Sequence, residues 1–390
     1  MPIDSAVTPH LPELVRFRHE MHQHPELMYD LPETSKRVAA ALRAAGADEV
    51  HEGLGKTGVV AVIRGKKNGA GRSIGLRADM DALPVREITG KPYASKNEGR
   101  MHACGHDGHT TMLLGAAMGL ADTRDFDGTV NLIFQPAEEG GAGADAMIQD
   151  GLFKRFPVNE VYGMHNRPGL PLGQFALRPG SMMASADTFT IELDGVGGHA
   201  AQPHTTTDTM PVMAALIQAL QTIVARNVDP IQSAVVSVTM VHGGDAFNVI
   251  PPVVKLCGTV RTLDESVRDL VEARLHTLAG GIASAFGAKA RVAYHRSYPV
   301  LVNHAENTEF AARAAEAVVG AGQVDRNLPP TMGSEDFAFM LKAVPGAYIN
   351  IGNGDSAGIH HPDYDFNDEA IAWGASYWMS LARGRLPLKA

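Results

Sequence analysis

The chain predicts an α/β fold, a mostly parallel, helix-covered sheet interrupted by an inserted α+β module. Two observations carry this expectation. Before Ser185, short apolar runs of strand length alternate with longer helical runs, the pattern of a sheet covered by helices. From Asp187 the pattern becomes strict polar and apolar alternation through Phe189, Ile191 and Leu193, which belongs to a strand with one wet face.

The elements follow in order. Residues 11–46 read as helix: Leu14, Val15 and Phe17 open one segment, the break falls at His24-Pro25, and residues 34–45 supply another after Pro32. Strand-like runs stand at 58–63, 73–78, 129–135 and 160–164, with a helical run at 110–121 among them. The module begins with strand 187–194, followed by a helix with Met213, Leu216, Ile217, Leu220, Ile223 and Val224 on one stripe. Strands 234–241 and 254–262 come next, then a helix carrying Val267, Leu270, Val271, Leu275, Leu278 and Ile282, and a last strand at 290–298. Strand, helix, strand, strand, helix, strand is a split βαβ unit, so the insertion is expected to be ferredoxin-like. The first domain then resumes with helix 308–319, strand 348–351 and helix 369–382. The expected domains are 1–184 and 300–390 for the sheet and 185–299 for the insertion, since a loop tolerates an inserted domain.

At 390 residues and 45% hydrophobic content, the chain can support two cores. Its net charge of −9 is dispersed, and no basic stripe interleaved with aromatics appears, so nucleic acid is not an expected partner. No run reaches the length of a membrane span, and residues 1–10 lack a charged start followed by an apolar core. The expectation is a cytoplasmic protein without a membrane partner. Two cysteines, Cys104 and Cys257, are too few for a disulfide framework, and Cys257 lies in an apolar run suited to a small buried thiol. There is no internal repeat.

The densest chemistry is His102-Ala-Cys-Gly-His-Asp-Gly-His109, with three histidines, a thiol and a carboxylate in eight residues. If this segment is extended, Cys104 and His106 project to one side and can reach neighbouring metal ions. With 17 histidines in the chain some clustering is expected by chance, and a lone histidine is more often a core or surface residue than a ligand. Glu138-Glu139, His165 and the pair His360-His361 strengthen the functional reading. Glu138 and Glu139 follow strand 129–135, at the end where open α/β sheets place their ligands. In extended backbone one carboxylate would bind metal while its neighbour stands over a water as general base. Thiolate, imidazole and carboxylate suit zinc or another first-row divalent ion, and five such groups exceed the needs of one tetrahedral site. Two ions about 3.5 to 4 Å apart could acidify a shared water, a centre for hydrolysis. Asp79 and Asp81 could orient a ligating imidazole from behind, or could be surface-turn aspartates. Cys104 as a nucleophile is disfavoured by its spacing from His106, and thiol redox chemistry by the lack of a nearby second cysteine.

Together with these residues, Gly75-Leu-Arg-Ala-Asp-Met-Asp-Ala-Leu-Pro84, Phe134-Gln-Pro-Ala-Glu-Glu-Gly140, Gly198-His-Ala-Ala-Gln-Pro-His204, Asn248-Val-Ile-Pro251 and Gly333-Ser-Glu-Asp-Phe337 form an ordered set. The chain thereby resembles the dinuclear metallohydrolases of aminoacylase and carboxypeptidase type, with their zinc-exopeptidase-like fold. Within that group it is similar to the branch of hippurate hydrolases, N-acyl-amino-acid amidohydrolases and auxin-conjugate hydrolases. The match runs from His22 to the C-terminal helix.

The resemblance implies that Cys104, His106, Glu139, His165 and His360 bind two divalent ions, zinc or manganese foremost, with cobalt or nickel also accepted. Cys104 replaces the bridging aspartate usual elsewhere in the wider family, and His361 competes with His360 because both precede Pro362. Glu138 is implied as catalytic base toward a metal-bridged hydroxide, with Asp79 supporting a ligand. The insertion corresponds to a dimerisation lid, so a homodimer or a dimer-based tetramer is implied, with His199 crossing to the partner's site as oxyanion donor. Asn248 and Arg261 match positions aimed at the substrate, and Ser334 and Glu335 could shape the pocket. The implied reaction cleaves the amide of an N-acyl or N-aroyl amino acid, hippurate-like, to a carboxylic acid and a free amino acid. A dipeptidase or carboxypeptidase of the same family is the nearest alternative. A non-catalytic metal-binding dimer scaffold is the other, and it has no use for a second carboxylate beside Glu139.

Overall fold

A computed structural model describes residues 3–69 and 71–388. Two compact units emerge, one formed by Met1–Gly180, Val302–Pro329 and Asp336–Ala390, the other by Ser181–Leu301 and Pro330–Glu335. The short segment 330–335 joins the inserted unit because Thr331 N–H donates to the Met182 carbonyl (3.0 Å) and Ala184 N–H to that of Gly333 (2.8 Å).

The first unit opens with helices α1 (Leu11–Gln23) and α2 (Pro32–Ala44), separated at the expected break. Strands β1 (Glu49–Leu54), β2 (Gly58–Arg64) and β3 (Ser73–Asp79) follow, then helix α3 (His106–Thr123), β4 (Thr129–Gln135), β5 (Glu160–Arg167) and the short β6 (Phe175–Ala176). β1 was not anticipated: it is a polar, half-exposed edge strand without the apolar run that marks its neighbour β2, whose residues from Gly58 to Ile63 are all buried.

The inserted unit contributes β7 (Asp187–Asp194), α4 (Thr209–Asn227), β8 (Ala234–His242), β9 (Val253–Thr262), α5 (Glu265–Ala285) and β10 (Lys289–Arg296). The chain then returns to the first unit through α6 (Ala305–Val319), β11 (Val324–Asp325), β12 (Gly346–Gly352) and α7 (Glu369–Arg385).

The large sheet has the order β1-β2-β4-β3-β5-β12-β6-β11. Its middle, β4-β3-β5-β12, is parallel throughout, while β1, β2 and β6 add antiparallel pairings toward the edges. Parallel strands covered on both faces need continuous apolar runs, which is why these segments are legible by composition. Helix α3 lies between α1 and α7 so closely that a Cβ on Gly115 would stand 2.9 Å from Leu14 and one on Gly119 2.5 Å from the Met379 sulfur. No helix among the described residues is long and apolar enough to cross a membrane.

The inserted sheet has the fully antiparallel order β8-β9-β7-β10, the ferredoxin-like arrangement. Phe189, Ile191 and Leu193 meet Leu216, Leu220, Val271 and Leu275 in one apolar core. Each helix carries an aspartate N-cap: Asp208 accepts from Met210 N–H, and Asp264 from the N–H groups of Ser266 and Val267. Arg268 is buried against Asp187, whose carboxylate also accepts from Tyr294 and Ser297.

Candidate metal centre

The parallel strands β3, β4, β5 and β12 present their C-terminal ends along one edge, where ligands gather in open α/β sheets. There Asp79 ends β3, Glu138 and Glu139 follow β4, His165 lies near the end of β5, and the loop after β12 carries His360. Cys104 and His106 enter from the segment that starts α3.

Among the described residues, overlapping groups of donor atoms arise at this edge, each with its atoms within 4.8 Å of one another, among them Cys104, His106 and His165; Cys104, Glu139 and His360; His106, Glu138 and Glu139; and Asp79, His106 and His109. Cys104 Sγ stands 3.3 Å from His165 Nε2. His165 Nδ1 donates to the Asn166 carbonyl (2.6 Å), so its Nε2 carries the lone pair that faces the sulfur. His360 Nε2 is 3.3 Å from Glu139 Oε1. His361 instead turns to its own loop, where its Nδ1 accepts from Asp363 N–H (3.1 Å).

Both ring nitrogens of His106 and Glu139 Oε1 are buried with no well-formed hydrogen bond among the described residues, although Asp81 Oδ1 stands 3.5 Å from His106 Nδ1. Such groups are costly to leave alone, and His106 Nε2 and Glu139 Oε1, 3.9 Å apart, are donors of the kind that fit a divalent cation. Burial pushes the Cys104 thiol well above its ordinary range, so a neighbouring cation is what would draw out the thiolate. Burial likewise raises the Asp81 carboxyl, against the pull of His106 and of the Glu138 N–H.

Local backbone explains why distant residues meet. The expected extended geometry is replaced by left-handed turns. Gly105 has φ 86° between Cys104 and His106, Ala137 has φ 53° just before Glu138, and His360 itself has φ 66°. Positions of this kind cost about 1–3 kcal/mol for residues with a side chain and persist where the surroundings enforce them. Asp81 enforces the turn at Glu138: its two carboxylate oxygens accept the N–H groups of Glu138 (2.9 Å) and Glu139 (3.1 Å). Beyond the turn Asp336 accepts from Ala144 N–H (2.9 Å) and Gln135 Nε2 (2.8 Å), and buried Arg77 ties Asp336 to Asp79. The paired carboxylates therefore converge on His106, where extended backbone would have sent them to opposite sides.

Asp79 reaches an imidazole, but a different one from the ligand set. Its Oδ1 accepts a hydrogen bond from His109 Nδ1–H (2.6 Å), while His106 Nε2 is 3.7 Å from Oδ2. Sequence reading also missed His22, whose Nδ1 meets Asp107 (2.8 Å) at the start of α3. Burial opposes charge on His22, yet its hydrogen bonds with Asp107 and Glu87 raise its pKa to about 9. No local pattern signals this pair, because 85 residues separate its members.

The remaining candidates lie in the inserted unit. His199 and Gly198 pair with Val249 and Ile250 in a two-residue ladder, and Ala200 N–H donates to the Asn248 carbonyl (3.0 Å). His199 and Asn248 are exposed. Ala201 N–H donates to His199 Nδ1 (3.1 Å), so the neutral ring presents Nε2–H as a donor. Arg261 is half-buried on β9, where its guanidinium donates to the Val260 carbonyl (2.9 Å) and to Thr259. Ser334 and Glu335 belong to the same unit.

Comparisons with known proteins identify the family. The chain is 45% identical over 370 residues to a hippurate hydrolase of Campylobacter jejuni, covering 95% of this chain and 96% of that one. It is 42% identical to an N-acetyl-L-cysteine deacetylase of Bacillus subtilis, over 96% of this chain and 88% of the relative. Its fold matches the crystal structure of a dinuclear metal-binding peptidase of the M20 family from Bacillus subtilis with a TM-score of 0.86 and 34% identity, over 97% of this chain and 99% of that one. The profile of peptidase family M20/M25/M40 matches residues 75–384. With its converging thiol, imidazoles and carboxylates, the chain belongs to peptidase family M20/M25/M40, as a metal-dependent amidohydrolase.

Proposed function

We propose that this protein hydrolyses the amide bond of N-acyl or N-aroyl amino acids, releasing a carboxylic acid and a free amino acid. The observation that carries the reading is the clamped Glu138-Glu139 turn, which brings two carboxylates to one imidazole. A metal-storage site needs only one of them. In this reading Cys104, His106, Glu139, His165 and His360 hold two divalent ions, zinc or manganese foremost, and Glu138 is the base.

Bound there, the ions supply Lewis-acid polarisation of the scissile carbonyl and a water of lowered pKa. Glu138 accepts a proton from the attacking water and hands it to the leaving amine nitrogen, so one carboxylate serves as base and then acid. His199, with Nε2–H outward, offers a donor to the oxyanion of the tetrahedral intermediate, and Asn248 and Arg261 orient the substrate, Arg261 toward its free carboxylate. The acting form is a homodimer in which His199 serves the partner's site. Edge strand β8, with half-exposed Met240 and Val241, supports an apolar contact with a second copy.

The test is a hydrolysis panel of N-benzoyl, N-acetyl and indoleacetyl amino acids beside free dipeptides. It uses chelator-stripped protein resupplied with zinc, manganese, cobalt or nickel. Turnover of N-blocked substrates restored by an ion supports the proposal. Preference for free dipeptides moves the protein to the dipeptidases, and inactivity with every ion overturns the choice of substrate.

A further inference from the structure

We propose that Asn166 is a positioning residue that locks three ligand-bearing segments into one geometry, with the Tyr364 hydroxyl as its brace. This rests on the reading of Cys104, His165 and His360 as metal ligands. Asn166 follows His165 directly and is 2% exposed, and Tyr364 is fully buried.

Each hydrogen-bonding group of Asn166 meets the centre. Its backbone N–H donates to His109 Nε2 (2.9 Å) and its carbonyl accepts the His165 Nδ1 proton (2.6 Å). Two histidine tautomers are thereby set at once: His109 must carry its proton on Nδ1, where Asp79 accepts the hydrogen bond, and His165 must turn a lone pair toward Cys104. The side chain completes the lock. Its Nδ2 donates to the Cys104 carbonyl (2.6 Å), and its Oδ1 accepts from Tyr364 Oη (2.7 Å).

Gly105 shows how tightly this lock fits. A Cβ there would stand 2.4 Å from Asn166 Nδ2 and 2.5 Å from Tyr364 Oη, so the amide and hydroxyl occupy the space beneath the turn joining Cys104 to His106. Tyr364 N–H also donates to the His361 carbonyl (3.0 Å), and His360 N–H to that of Ala103 (2.7 Å). Segments 103–106, 165–166 and 360–364 are therefore cross-linked through one carboxamide. Neither Asn166 nor Tyr364 touches substrate in this role; they act through the direction in which Cys104 and His165 point.

Cobalt(II) reports on this directly, because a cysteine thiolate bound to cobalt gives a charge-transfer band in the near ultraviolet. Asn166→Ala should lower cobalt affinity about 10–100-fold, the usual effect of removing an outer partner, and weaken or shift the band per bound ion. Tyr364→Phe removes a single hydroxyl, and should change the band in the same direction with an affinity loss below about tenfold. Should Asn166→Ala fail to fold, Tyr364→Phe decides alone. A merely structural role would lower the unfolding temperature while leaving the band per bound ion as in wild type, and that result overturns the proposal. Absence of any thiolate band in the wild type would instead overturn the ligand role of Cys104, and this proposal with it.

Discussion

His165 and Glu139 stand at the C-terminal edge of a buried parallel sheet, Cys104 joins them from the segment that starts α3, and neighbours such as Asp81 and Asn166 hold Glu139, His165 and Cys104 by hydrogen bonds. Exposed His199 sits on a two-residue ladder of the inserted unit with exposed Asn248 beside it, and Ala200 and Ala201 N–H groups donate to the Asn248 carbonyl and to His199 Nδ1. Under the proposed function the contrast follows from what each region would do. Cation binding needs several desolvated donors pre-aimed, because reorganisation after binding would cost affinity. A donor to a transient oxyanion needs only one directed N–H, so an exposed ladder position suffices. Substitutions at the sheet edge should therefore change what is bound, and substitutions on the ladder should change only how fast substrate turns over.

The sharpest break of that rule is expected at Glu138, which lies at the sheet edge yet is proposed as base. Glu138→Gln should lower turnover by about 10²–10⁴ with the metal content of the wild type. Metal loss in parallel with activity would place Glu138 among the ligands. His199→Ala should cost about 10²–10³ in kcat, again with full metal content. Mixing His199→Ala chains with Glu138→Gln chains should restore part of the activity, since one of the two sites in a mixed dimer would have both groups intact. Failure of mixtures that demonstrably exchange subunits would confine His199 to its own chain.

Cys104→Ala is the converse case. It should weaken occupancy of both ions, by more than the roughly tenfold typical of an outer partner, as read by metal per chain after dialysis. Two ions held as tightly as in the wild type would remove Cys104 from the bridge.

How much of this was legible in the sequence depends on the range of the cause. The inserted unit was readable element by element because amphipathic periodicity is local, as in Leu216 and Leu220 or Val271 and Leu275. The parallel strands were readable by continuous apolar composition, whereas polar edge strand β1 was not. Motif density pointed to Cys104, His106, Glu138 and Glu139, but not to the turn that orients them: Ala137 in a left-handed conformation carries no sequence signal, because alanine is not the residue that region favours. Asn166 and Tyr364 were invisible for a different reason. Their partners lie 62 and 198 residues away in the chain, so only the folded sheet brings them together.

The smallest effect tests whether the two regions are independent. Asp264 caps α5 in the inserted unit, and Asp264→Ala should lower stability by about 1 kcal/mol, the usual loss of an N-cap, without altering metal content or cobalt spectrum. Hydrogen bonds from the Ser266 hydroxyl and from the Ser266 and Val267 N–H groups hold the Asp264 carboxyl below its ordinary value. A depressed folded-state pKa contributes stability above the unfolded value of about 3.9, and that contribution is lost as pH falls through the folded value. The difference in unfolding temperature between wild type and Asp264→Ala should accordingly shrink below about pH 4. Asp264→Asn keeps an acceptor at the cap but no titrating group, so it should retain most of the stability at neutral pH and lose this pH dependence. If Asp264→Ala released metal at neutral pH, the inserted unit would be supporting the sheet edge, and the division between an edge that binds and a ladder that accelerates would fail.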